Sequence, residues 1–181
     1  MKLEVIEPPE REPVSVAEAN EYLRIEDDIE DSLVESFIKA ARMFCENYQH
    51  QVYYTQKLRL ILSATECSSC VELPRSQHLQ SIERVMYQLP TGENKSLCYV
   101  QKTGDVLAEI RIVEPLPIDA EIMIEYVAGE DEPEIDDVKT AIKILISGLH
   151  NNRTPYAEAN KPLQEVPFSV KALLNRGRLI L

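Results

Sequence analysis

The sequence contains one short pattern of residues that could do chemistry, and that pattern is incomplete. Cys67 and Cys70 are separated by two serines, a spacing that can provide half of a zinc site or a redox pair. A second CxxC or an HxxxH is missing, and the three histidines are scattered at positions 50, 78 and 150. We therefore interpret the two thiols as loop residues, and we expect neither a metal nor a cofactor.

Sequence motifs of the common enzyme classes are also missing. The chain has no GxSxG, GxGxxG, GxxxxGK[ST] or HExxH motif, each of which builds a nucleophile, nucleotide, phosphate or metal site. Its five glycines are far apart, so no pair of them could cradle a phosphate. Acidic residues are numerous, but the sequence does not separate a catalytic pair from solvated carboxylates. We predict no catalytic residue and a protein that is not an enzyme.

Charge is more informative than motif content. Nineteen basic and 31 acidic residues give a net charge of −12, which argues against a protein that grips nucleic-acid phosphates. Acidic side chains are concentrated in two stretches, 26–35 and 130–137, without an intervening base. These stretches are either solvated helix starts or an acidic face that repels DNA or binds a basic partner. The candidates for such a face are Glu26, Asp27, Asp28, Asp31, Glu130, Asp131 and Glu132.

The segment 168–181 has the opposite character. It carries basic and apolar residues and no acidic side chain. Such a segment either folds back on the core or docks on another subunit, and the sequence leaves both alternatives open. The candidate docking residues are Phe168, Lys171, Leu173, Leu174, Arg176 and Arg178.

Hydrophobic periodicity predicts the elements that must position these residues. A capping box of Ser15 and Glu18 begins a short helix over 15–23. Apolar residues at steps of three and four predict amphipathic helices over 28–49 and 134–150, and a last short helix is expected at 167–175. Strands are predicted within 52–128, where apolar residues alternate. The residues predicted to share one face within each strand are Leu58, Leu60 and Leu62, and Ile122, Ile124 and Tyr126.

This order of elements predicts the α+β class. N-terminal helices, including one long amphipathic helix, precede central antiparallel strands, which a long helix and a short terminal helix follow. At 181 residues we expect an extended arm at 1–12, a single α+β domain at 13–150, and an irregular segment with a docking tail at 151–181. No apolar run approaches the ~18 residues of a membrane span, and residues 1–12 do not resemble a signal peptide. We therefore expect a cytosolic origin.

Several short motifs, in order along nearly the whole chain, resemble the phage head–tail connector proteins of the gp6-like family. The opening of the chain and its first long helix carry the family's "PVSLxEA…LR" and "AAR…E" patterns. The strands carry its "TQ", "LP" and "YxAG" patterns, and the last helices carry "A…L…xxR" and "P…ALLxxyR". The matching residues are Pro13–Ala19, Tyr22–Ile25, Ala40–Arg42, Glu46, Thr55–Gln56, Leu73–Pro74, Tyr126–Gly129, Lys139–Arg153, Val166–Pro167, Ala172–Leu174 and Arg176.

The resemblance implies a structural protein without catalytic residues. Such proteins form a ring beneath the portal, lengthen the DNA channel and offer a platform for the next connector, stopper or tail protein. The implied partners are further copies of the chain, the portal protein and that downstream protein, with DNA passing non-specifically and no membrane. The implied location is the head–tail junction of a virion assembled in the host cytoplasm, of phage or prophage origin. The acidic stretches near Asp28 and Asp131 are then candidates for the channel lining, and segment 168–181 for the portal contact.

Two other classes of function remain open from the sequence. A DNA-packaging accessory, similar to a small terminase subunit, would need a basic recognition helix, and none is visible. A small cytosolic enzyme of unknown chemistry would have to use Cys67 and Cys70, the only pattern available.

Overall fold

A computed structural model describes residues 1–26, 29–67, 70–103, 106–151 and 167–178. It contains four α-helices and antiparallel sheets, which confirms the predicted α+β class. In chain order the elements are β1 Lys2–Glu7, α1 Val16–Leu23, α2 Asp31–Gln49, β2 Gln56–Ser63, β3 Cys70–Glu72, β4 Leu79–Gln88, β5 Asn94–Ser96, β6 Tyr99–Thr103, β7 Ala108–Ile112, β8 Glu121–Ala128, α3 Asp136–Asn151, α4 Phe168–Leu174 and a 3₁₀ turn at Asn175–Gly177.

The chain divides into two compact units, and each unit is built from two separate stretches. A β unit comprises Met1–Glu10 and Gln51–Pro133, and a helical unit comprises Arg11–His50 and Glu134–Leu181. The division into arm, single domain and tail stays a prediction. In the described parts of the chain, no helix combines the length and the apolar composition that a membrane crossing requires.

The β unit consists of two antiparallel sheets that share one core. The five-stranded sheet has the order β1-β2-β8-β4-β5 and the three-stranded sheet the order β3-β7-β6. Alternate side chains of β2 and β8 are buried, because successive residues of a strand point to opposite faces. Their predicted faces, Leu58–Leu62 and Ile122–Tyr126, are confirmed. Both strands pack in the same hydrophobic cluster as Ile110 of the smaller sheet.

The helical unit begins with the predicted capping box. The Ser15 hydroxyl accepts a hydrogen bond from the Glu18 amide at 3.2 Å, and the Glu18 carboxylate accepts one from the Ser15 amide at 2.9 Å, which satisfies two free donors at the start of α1. The long helices α2 and α3 pack on each other, and α4 packs on both. Their apolar stripes are buried, as at Ile38 and Ile142.

Two segments differ from the sequence-based expectation. Residues 2–7, predicted within an extended arm, form the edge strand β1 on β2, and residues 94–96, for which the sequence predicts no separate strand, form β5 on β4. Both are short edge strands whose polar side chains face solvent, so hydrophobic patterning does not reveal them. Helix α2 begins at Asp31 rather than at 28, with Glu30 as its N-cap. Asp27 and Asp28 lie outside the described residues.

Candidate functional site

The acidic segment Glu130–Glu132 follows β8 at a junction where three stretches of backbone meet. The Glu130 amide donates to the Tyr53 carbonyl at 2.9 Å, and the Thr55 amide donates to the Glu130 carbonyl at 3.2 Å. Gly129 has a φ of +108°, and a Cβ there would lie 2.8 Å from the Thr55 nitrogen and closer still to the Tyr54 carbonyl group. Only glycine fits this position, because it has no Cβ and tolerates a positive φ.

Side chains at the same junction hold two of the three acids. A Glu130 carboxylate oxygen lies 2.9 Å from Nδ1 of His78, and the Thr55 hydroxyl donates to the Asp131 carboxylate at 3.0 Å. The Gln80 amide nitrogen donates to the Thr55 hydroxyl at 2.8 Å and to the Gly129 carbonyl at 2.9 Å. Glu130 and Asp131 therefore help to build the junction, while Glu132 is exposed.

The other acidic stretch belongs to the helical unit. Glu26 is exposed, and the Asp31 carboxylate accepts a hydrogen bond from the Asn20 amide at 2.6 Å. A Glu30 carboxylate oxygen lies 3.1 Å from Nε2 of His150, at the end of α3. Asp27 and Asp28, predicted for the same face, are outside the described residues. Glu26 and Asp31 belong to the helical unit and Glu130–Glu132 to the β unit, so a single acidic face formed by both sets stays a prediction.

Helix α4 folds back on its own unit. Val170 and Leu174 are fully buried, and the Leu174 carbonyl accepts a hydrogen bond from the Gln49 amide at 2.7 Å. Lys171 and Leu173 are half-buried. In contrast, Phe168 keeps 86% of its surface exposed. Of the candidate docking residues, Leu174 is therefore occupied within the chain and Phe168 is accessible.

The two arginines that follow α4 also contact the helical unit. Arg176 forms an ion pair with Asp137 at 3.0 Å, and the Arg178 guanidinium lies 4.8 Å from the centroid of the Tyr48 ring, a cation–π distance. The Tyr48 hydroxyl donates to the Asn175 side chain at 2.9 Å. These contacts fix the segment up to Arg178, and portal docking of its exposed side remains a prediction.

Of the two thiols interpreted as loop residues, Cys67 lies in a loop, whereas Cys70 is the first residue of strand β3. Burial raises the pKa of Cys67, and the Cys70 sulfur lies 3.5 Å from a Glu109 carboxylate oxygen. Among the described residues, no group of three or more His, Cys, Asp or Glu side chains is placed to hold a metal ion. Burial raises the pKa of Cys45 to about 12, as for a small core residue.

A buried ion network in the helical unit was not recognised from the sequence. Arg42 is 5% exposed and Glu46 is 1% exposed, and their side chains lie 2.9 Å apart. Glu12 completes the network at 2.7 Å from the Arg42 Nε. The only sequence signal was the spacing of Arg42 and Glu46 by four residues, which places both on one helix face. Glu12 is 30 positions away, beyond the reach of a local pattern.

Three of the motifs behind the family resemblance meet inside the β unit. The buried Tyr126 hydroxyl donates to the Pro74 carbonyl at 2.5 Å, and burial raises the pKa of this tyrosine. Gly129 packs on Tyr54, directly before Thr55. The residues of "LP", "TQ" and "YxAG" therefore have structural roles, since they join strands and hold the turn that carries the acidic segment.

Comparisons with family models and with curated proteins each find no match. Solved structures do match over the whole length. A chain from the neck of an empty GTA particle, computed with C6 symmetry, is 19% identical with a TM-score of 0.75, covering 100% of this chain and 97% of that one. A chain from the virion of a native gene transfer agent (GTA) particle is 20% identical, with a TM-score of 0.72 and the same coverage.

A third match is a chain from the neck of a native GTA particle computed with C12 symmetry, with a TM-score of 0.69, 19% identity and the same coverage. At these identities the likeness is one of fold. The chain has the fold of a protein found in these particles, and both of its units are included in the match.

Proposed function

We propose that the chain is a structural subunit of the neck that connects head and tail in a phage-like particle. The observation that carries the proposal is the match of the entire chain, at a TM-score of 0.75, to a chain of a gene transfer agent neck. The match covers 100% of this chain and 97% of the other, so the likeness includes both the β unit and the helical unit.

The finer part of the proposal is a closed ring below the portal that extends the DNA channel. Copies of the chain contact each other in this ring, the portal protein contacts one rim, and a stopper or tail protein contacts the other. The net charge of −12 supports passage of DNA without adhesion, because a negative wall repels phosphates. We propose the exposed acids at Asp131 and Glu132 as candidates for this wall.

The test is electron microscopy of particles assembled without the chain. DNA-filled heads and finished tails should accumulate separately, and supplying the chain in trans should restore joined particles. Normally joined, infectious particles in its absence would refute the proposal.

A gel-shift experiment separates the neck subunit from a DNA-packaging accessory. The purified chain should not retard double-stranded DNA at low salt, where electrostatic binding is strongest. Retardation that disappears as salt is raised would favour the accessory instead.

A further inference from the structure

Strand β1 is far from its partner strand in the sequence. It ends at Glu7, whereas β2 begins at Gln56, and the segment Arg11–His50 of the helical unit lies between them along the chain. A hairpin turn usually fixes which strand pairs with which and in what register. No such turn connects β1 to β2, so the covalent chain does not by itself select the β2 of the same copy.

The side chains of β1 hold it only lightly on the sheet. None of its six residues is buried, and Val5 keeps 47% of its surface exposed. Leu3 packs against the hydrophobic core, and a Glu7 carboxylate oxygen lies 3.9 Å from the Lys57 ammonium. The attachment therefore depends mainly on backbone pairing, and a strand with few buried apolar contacts is among the first parts of a protein to detach.

The connection that follows β1 is short and contains two prolines. Positions 8 and 9 are proline, which has a fixed φ and biases the preceding residue toward extended backbone. The chain is next fixed at Glu12, whose carboxylate lies 2.7 Å from the Arg42 Nε, and at Val14, which is fully buried. The residues 8–11 between these points can span about 14 Å, so they can carry β1 to an adjacent copy but not to a distant one.

We propose that, in the assembled ring, β1 of each copy pairs with β2 of the next copy instead of with β2 of its own chain. This inference rests on the proposed function. The occupant of the β2 edge is a second copy because that edge already accepts β1, in the register that places Lys2 opposite Ile61, and every copy has the same β1. Exchange replaces each contact by an identical one, and it joins two different surfaces of the chain, as a closed ring requires.

The experiment uses a disulfide that locks β1 onto its own chain. Lys2→Cys and Ile61→Cys are combined in a Cys98→Ser background, which removes the exposed native thiol. Directly opposite residues of antiparallel strands have Cα atoms about 4.5–5.5 Å apart, a separation that a disulfide can bridge. The purified variant is oxidised in dilute solution, and the monomer that contains the internal bond is isolated.

The locked monomer and its reduced form are then each supplied to particles that lack the chain. The locked form should give at least about tenfold fewer joined particles than the reduced form, because its β1 cannot leave its own β2. The matched control locks the other edge strand of the same sheet through Gln88→Cys and Asn94→Cys, which lie opposite each other in β4 and β5. The locked control should join particles as well as its reduced form does.

A second readout uses particles that were joined by the reduced variant and oxidised afterwards. Exchange predicts covalent multimers of the chain on a non-reducing denaturing gel, whereas pairing within each chain predicts monomers. Equal joining by the locked and reduced forms, or monomers alone after oxidation of joined particles, would overturn the inference. A second variant, with Glu4→Cys and Arg59→Cys at another opposite pair, provides the same test if the first variant does not assemble.

Failure of this inference is distinguishable from failure of the proposed function. If the reduced variant joins heads to tails but shows no exchange, the chain is still a neck subunit and only the strand pairing between copies is wrong. If particles without the chain are joined normally, the proposed function itself is refuted.

Discussion

At the scale of single residues, Gly129 is the position with the least freedom to change. Its φ of +108° and the close approach of the Tyr54 carbonyl group, which leaves no room for a Cβ, both exclude a larger residue. Gly129→Ala should therefore lower the free energy of unfolding by more than about 2 kcal/mol, through backbone strain and separation of the junction. Urea denaturation followed by circular dichroism measures the change.

Gly148 provides the matched control for this substitution. It lies in α3, and a Cβ added there would meet open space. Gly148→Ala should therefore stabilise the protein by about 1 kcal/mol, because alanine has the higher helix propensity. If both substitutions had the same small effect, the close approach at Gly129 would not limit the sequence there.

Replacing Arg42 tests how strongly the stability of the protein depends on the pairing of buried charges in the helical unit. Arg42→Met leaves the Glu46 carboxylate, 1% exposed, without the Arg42 cation, which should cost about 3–5 kcal/mol. Adding Glu46→Leu removes the buried anion, so the double variant should regain most of that stability in the same urea denaturation measurement. A double variant as unstable as the single one would show that packing of Arg42, rather than its charge, is what the helix requires.

The residue scale also shows what a sequence can reveal about a contact. Ser15 and Glu18 were predictable as a pair because the capping box is local and has a fixed spacing. The Arg42–Glu12 and Tyr126–Pro74 contacts were not, because each joins segments that only tertiary folding brings together. The acids at 130 and 131 were found by their clustering, but their anchoring by His78 and Thr55 depends on the junction.

At the scale of elements, periodicity identified those with one buried face. Helices α2 and α3 and strands β2 and β8 all have buried stripes or alternating burial, so their hydrophobic patterns were clear. Strand β1 was hidden because it is an edge strand of mixed polarity, and its pairing with β2 is a long-range contact. The order in which strands pair in a sheet depends on packing between segments that are distant in the sequence, so no single segment predicts it.

The pairing of β2 with β8 gives a prediction of pH dependence. Glu125 lies opposite Arg59 in the register, and hydrogen bonds from Arg59 lower the pKa of Glu125. A lowered folded-state pKa stabilises the protein above the ordinary glutamate value of about 4.3, and this stabilisation is lost as pH falls through the folded value. Glu125→Gln should therefore be less stable than the natural chain by about 1–2 kcal/mol at neutral pH.

The difference between the two proteins should disappear in acid. Urea midpoints measured at about pH 7 and at about pH 3 test this expectation. The control is Glu72→Gln, which removes a surface charge at an exposed position of β3. A stability difference that persists unchanged at the lower pH would mean that Glu125 acts by shape and not through its charge.

At the scale of the whole molecule, the division into two discontinuous units was not predictable. The chain leaves the β unit after Glu10, forms the first part of the helical unit, and returns at Gln51. The predicted change from helix to strands coincides with the return at Gln51, but no pattern in the sequence marks the departure after Glu10 or shows that β1 pairs with β2. The sequence did contain the order of the family motifs, which spans both units. The order supported the connector interpretation, whereas the layout of the two units required the structure.

The acidic segment of the β unit should act on DNA in an assembled neck. Glu132 is exposed beside the junction at Gly129. We expect Glu132→Lys to leave particles joined but to slow DNA ejection, because each copy then adds a cation to the channel wall. Ejection kinetics measure the effect, with Glu72→Lys as the surface control. Unchanged ejection by the Glu132→Lys particles would remove this segment from the channel wall.

The acidic stretch of the helical unit should act on assembly instead. Glu26 is an exposed residue of that unit. If the acidic stretch binds a basic surface of a partner, Glu26→Lys should reduce the yield of joined particles, because the lysine would repel that surface. Particle counts by electron microscopy measure the yield, again against Glu72→Lys, which makes the same change of charge on an exposed residue of β3. Equal yields from the two variants would contradict the binding of a basic partner by this stretch, whereas a loss confined to Glu26→Lys would locate the effect in the acidic stretch of the helical unit.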